Sequence, residues 1–112
     1  MTTNRAYLTH NEDEGICALN TPRQGTLTDI SYNQLRLAFG ENMWVDGPDK
    51  VDWEWIVEFP CGTVASIYNY KDGPNYCGAE GLNRYQVTTW NVGGSSAEAY
   101  HLVMAALEGG AA

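Results

Sequence analysis

Three carboxylates, Asp52, Glu54 and Glu58, stand at even positions in residues 51–59. Side chains alternate across a strand, so these acids share one face, and Val51, Trp53, Trp55, Val57 and Phe59 make the other face apolar. Glycoside hydrolysis needs two carboxyl groups facing each other across a cleft in unlike environments. Solvated acids along one strand do not meet that need. They form a negative surface that attracts cationic groups instead. Successive same-face carboxylates lie about 6.5–7 Å apart, close to the phosphate spacing along one nucleic-acid strand. Aromatic side chains accompany this stripe. Trp44, Tyr68, Tyr70, Tyr76 and Tyr85 fall in loops or opposite core positions. Such residues bring large rigid area with a polar handle, and their rings accept cations. Asp52, Glu54, Glu58, Trp44, Tyr68, Tyr70 and Tyr76 are therefore the candidate partner-binding residues.

A second constellation is Gly93-Gly94-Ser95-Ser96 ahead of a helix, with Lys71 as a cation. Free N–H groups and the positive end of a helix dipole would receive a phosphate or carboxylate there. Lys71, Gly93, Gly94, Ser95 and Ser96 are the candidate ligand-binding residues of this alternative, although the run fits neither the Walker pattern nor a dinucleotide fingerprint. Catalytic options are thin. The two histidines are His10, in a loop, and His101, beside an apolar helix stripe. No serine or cysteine sits in a nucleophile motif. Cys61 and Cys77 lack the close spacing of a metal site. The expectation is a protein that is not an enzyme, with no cofactor and no metal.

The elements that position these residues are well punctuated. Ser31 with Gln34 makes a capping box, Tyr32, Leu35 and Phe39 recur at helical spacing, and Gly40 supplies the stop. Residues 51–59 and 64–70 form a hairpin through Pro60-Cys61-Gly62-Thr63, where the glycine takes a positive φ. Residues 71–83 form a long irregular loop, and residues 85–92 are a third strand. Ser95 with Glu98 opens a second helix striped by Ala97, Tyr100, Val103, Met104 and Leu107. The predicted fold is α+β, a three-stranded antiparallel sheet with two helices on one face in the order α-β-β-β-α. Residues 1–26 are read as an irregular arm with at most one edge strand, from Ala6-Tyr7-Leu8 or Ile16-Cys17-Ala18-Leu19, with 21–25 as a loop. Residues 27–108 are the domain, and 109–112 a frayed tail.

The 112 residues fit one domain, and a 44% hydrophobic content supports a real core. Fourteen acids against six scattered bases give a net charge of −8. Direct nucleic-acid binding is not expected on that balance, because phosphate contacts need clustered Lys and Arg. Three cysteines leave one unpaired in any disulfide scheme, and no signal peptide or membrane-length apolar run is present, so free thiols and a cytoplasmic location are expected.

Glu54-Trp55-Ile56-Val57-Glu58-Phe59, Gly62-Thr63-Val64-Ala65-Ser66-Ile67-Tyr68-Asn69-Tyr70-Lys71 and Trp90-Asn91-Val92-Gly93-Gly94-Ser95 carry a resemblance. With the opening Ile30-Ser31-Tyr32-Asn33-Gln34-Leu35 and Phe39-Gly40, they resemble a group of small proteins of tailed bacteriophages and prophages. The resemblance covers roughly residues 27–107 and departs at Pro60-Cys61, where an Asp is common before the glycine. It implies a phage source, this fold and a host-cell cytoplasm, and carries over no catalytic residues. The leading expectation is an acidic inhibitor of a host protein with a basic surface, acting in host takeover or anti-defence such as anti-CRISPR activity, by nucleic-acid mimicry. The alternatives are sequestration of a small anionic signalling nucleotide and a structural or assembly accessory of the phage.

Overall fold

The structure is a computed structural model that describes residues 8–9, 22–44 and 51–110, with the side chains of 8, 9, 43, 44, 75, 76, 109 and 110 excepted. Helix α1, Tyr32–Phe39, starts where the capping box requires. Gln34 N donates to Ser31 Oγ at 3.1 Å, and Ser31 N donates to Gln34 Oε1 at 2.9 Å. Gly40, at φ +83°, stops it and returns its N–H to Arg36 O.

Strands β4 (Trp53–Glu58) and β5 (Val64–Tyr68) form the expected hairpin, with Trp55 opposite Ile67 and Val57 opposite Ala65. Gly62, at φ +91°, carries the turn, closed by Phe59 N to Thr63 O at 2.9 Å. Strand β6 (Trp90–Gly94) pairs antiparallel with β5. Two-residue strands β1 (Leu8–Thr9) and β3 (Met43–Trp44) pair with opposite ends of β4 along its other edge. With β2 (Arg23–Leu27), the order β4-β5-β6-β2 makes a four-stranded antiparallel body.

That fourth strand corrects the three-stranded expectation. Strand β2, Arg23–Leu27, occupies part of what reads as an arm and loop, and it pairs with β6 from Arg23↔Gly93 to Leu27↔Trp90. Its sequence has little strand character, with one buried apolar residue, Leu27, and a bulge near Gly25. Gly25 lies against the Tyr100 ring of helix α3 (Glu98–Gly110), so packing against a helix, not propensity, fixes it. The strand proposed at 16–19 lies outside the described residues.

The third strand is also shorter and later than its sequence suggests. Residues 84–86 turn, because Tyr85 N donates to Asn83 Oδ1 and Asn83 N donates to Gln86 Oε1, each at 2.9 Å. Gly93 and Gly94 are strand residues of β6, not a helix-leading turn. Helix α3 runs Glu98–Gly110, two residues into the segment read as a frayed tail. The long loop contains one helical turn, α2 (Pro74–Cys77), and a 3₁₀ turn, Gly78–Glu80.

The core lies between the sheet and the helices. It joins Trp53, Trp55, Val57, Ala65, Ile67, Trp90, Val92 and Leu27 to Tyr32, Leu35, Phe39, Ala99, Val103 and Leu107. Burying side chains of this size is worth about 1.5–3 kcal/mol each.

Candidate functional site

The face of the sheet away from the core carries three of the seven candidate partner-binding residues, Glu54, Glu58 and Tyr68. Register aligns Glu54, Tyr68, Asn91 and Thr26 in one row across β4, β5, β6 and β2. Strands lie about 4.8 Å apart, so the row is roughly 14 Å long. Thr26 Oγ1 donates to Asn91 Oδ1 at 3.5 Å at its far end. The next row is Ile56, Ser66, Gly93 and Arg23, and Glu58 stands beyond, opposite Val64. Glu54 and Glu58 are half-buried, about 13 Å apart along the strand. Ile56 and Ser66 are only 3% and 2% exposed, so the middle of this face is sealed.

Burial pushes the Tyr68 phenol above its ordinary range, Arg23 pulls it down, and Glu54 pushes it up. A carboxylate, a phenol and a guanidinium thus interact along neighbouring rows. Arg23, Asn91 and Thr26 are absent from the sequence-based set. Alternation through Trp90-Asn91-Val92 would have found Asn91, whereas Arg23 and Thr26 belong to the strand that propensity misses.

Asp52 does not belong to the stripe. It is 3% exposed, and β4 begins one residue after it. Asn69, wholly buried, draws it inward. Asn69 Oδ1 accepts the N–H of Asp52 at 2.7 Å and of Trp53 at 3.0 Å. Asn69 Nδ2 donates to Asp52 Oδ1 at 3.0 Å and to Asp72 Oδ1 at 2.9 Å. A side chain on Gly73 would overlap the Asp52 carboxylate, so this glycine is required by space. The three-carboxylate surface is therefore a two-carboxylate surface, and Asp52 is part of a buried polar network.

Tyr70 is 45% exposed just past β5, with Lys71 Nζ 5.4 Å from its ring centroid. Trp44 pairs through its backbone with Trp53, and Tyr76 lies in α2; both side chains fall outside the described residues. The residues of the anion-site alternative are not brought together. Gly94 pairs with Ala65 at the start of β5, while Lys71 follows its end, about 20 Å along the strand direction. The Gly94 N–H donates to Pro22 O at 3.1 Å, and its carbonyl accepts from Gln24 Nε2 at 2.9 Å. Ser95 and Ser96 are exposed.

Sequence reasoning also passed over Arg84. Its guanidinium carbon lies 5.0 Å from the Tyr32 ring centroid and 5.2 Å from that of Tyr85. The two tyrosines meet edge to face at 5.5 Å. Cys61 and Cys77 are free, exposed thiols, and a hydrogen bond to Thr63 lowers the Cys61 thiol. Among the described residues, no group of three His, Cys, Asp or Glu could hold a metal, and no helix is long and apolar enough to cross a membrane. No protein-family model matches the chain, and neither does any curated protein.

Proposed function

We propose that this protein is a phage-encoded inhibitor that works by binding a host protein in the host cytoplasm, as in host takeover or anti-defence, and not by catalysis. Its contact surface is the outer sheet face, with Glu54 and Glu58 of β4 as acidic anchors and Tyr68, at the end of β5, as the aromatic one. The observation that carries this reading is the Glu54–Tyr68 cross-strand pair, a carboxylate directly opposite a phenol, both half-buried, beside the covered middle of the outer face. An Arg or Lys of a partner fits there, gripped by charge from one strand and by a ring from the next. The net charge of −8 favours a basic partner and speeds its approach.

With Asp52 withdrawn, nucleic-acid mimicry takes a narrower form. Two carboxylates about 13 Å apart match alternate phosphates of a strand rather than a continuous run. The test is capture from host lysate by the tagged protein and by a Glu54→Lys, Glu58→Lys variant, each at low and high salt. A basic partner that wild type retains at low salt and the variant loses supports the reading.

A further inference from the structure

The side of the sheet that carries the helices holds a second surface, opposite in character to the acidic one. Tyr32, 1% exposed, anchors it by donating its hydroxyl to Asn42 Oδ1 at 2.7 Å and by leaning on Trp55 with ring centroids 5.6 Å apart. Tyr85, 61% exposed, stands against it, and Arg84 completes a triangle with the two rings. The turn that presents Arg84 and Tyr85 is pinned by the Asn83–Gln86 hydrogen bonds, so the guanidinium is held in place from both chain and rings.

An arginine offers five N–H donors in a planar fork. Arg84 spends none of them on a hydrogen bond or ion pair among the described residues. The nearby Glu41 is engaged elsewhere, accepting from Arg36 Nε at 2.8 Å. The fork is therefore oriented against two rings and unanswered among the described residues, and beside it lies an exposed tyrosine. Arg and Tyr together are the residue types that dominate binding hot spots.

We propose that Arg84 and Tyr85 form a receptor for an acidic segment of a partner protein, with a partner carboxylate taking the Arg84 fork in bidentate fashion and the neighbouring residue lying on the Tyr85 ring. Carboxylate geometry matches the fork, and burial against Tyr32 has already fixed the side chain. A nucleic acid does not suit this patch. One guanidinium, unpaired among the described residues, beside a self-neutralised Arg36–Glu41 pair cannot supply the several phosphate contacts that such binding needs. This surface lies across the sheet from Glu54 and Glu58 and stands independently of the function proposed for them.

The experiment is a titration of the full-length, ¹⁵N-labelled protein with a hexaglutamate peptide at about 0.15 M salt, where the repulsion from the net charge of −8 is screened beyond about 8 Å, following the Arg84 Nε–H signal and the Tyr85 ring protons. Saturable shifts at both sites are expected. Arg84→Gln removes them, and Arg84→Lys, which keeps the charge but not the fork, binds roughly 10-fold more weakly. The Trp55 and Trp90 indole N–H signals report that each variant is folded. No shift at Arg84, equal binding by Arg84→Lys, or equal occupancy of the site by inorganic phosphate or a single-stranded oligonucleotide overturns the assignment.

Discussion

Trp55 and Trp90 grip opposite ends of one helix. The Trp90 indole donates to Ile30 O ahead of α1 at 2.8 Å, and the Trp55 indole donates to Gly40 O behind it at 2.8 Å. Between them the two rings meet edge to face at 5.4 Å. The sheet thus sets the position of α1, and with it the place of Tyr32. Replacing either tryptophan by Phe leaves a helix-terminal carbonyl without its donor and a void in the core. The expected loss is about 2–4 kcal/mol in urea unfolding. The double variant should lose less than the sum, because the rings share a contact. A loss below about 0.5 kcal/mol for both single variants contradicts the clamp.

Asp72 gives the stability a distinctive pH dependence. Burial is the main cause holding its carboxyl above the ordinary range; the Asn69 amide opposes this, and the Asp52 charge adds to it. The folded state then binds the proton more tightly than the unfolded chain does. The stabilising contribution is complete below the unfolded value, near 3.9, and is lost as pH rises through the folded value. An Asp72→Asn variant keeps an acceptor for Asn69 but does not titrate. Wild type should gain stability relative to this variant as pH falls from 7 to about 4. Urea titrations at several pH values measure the difference, and an opposite slope rules out this role for Asp72.

Gly25 and Tyr100 couple the unexpected strand to α3. A methyl group at Gly25 would overlap the Tyr100 ring. Gly25→Ala should destabilise by about 1–3 kcal/mol through overpacking. In a Tyr100→Ala background the same substitution should be nearly neutral. Equal penalties in both backgrounds would show that the clash does not set the cost.

Local rules account for much of this fold. The Ser31–Gln34 box and Gly40 bound α1, and alternation through residues 53–58 places Trp55 and Val57 inside. Distant partners account for the rest. Asp52 obeys the outward phase of its strand pattern, yet Asn69, 17 residues away, draws it in. Residues 23–27 become a strand because β6 and Tyr100 receive them, a fact that Gly25 and Pro22 conceal locally. Glu54, Glu58 and Tyr68 could be assigned to one face from alternation alone. Arg84 could not be linked to Tyr32, because their meeting depends on how the turn at 84–86 packs against α1.

The most direct test of the central claim compares capture of a host partner by wild type and by Glu54→Lys with Glu58→Lys, after near-UV circular dichroism shows that the variant is folded. The account predicts one basic partner, retained by wild type, released as salt rises, and absent from the variant. Undiminished capture by the folded variant contradicts a partner-binding role for the outer face.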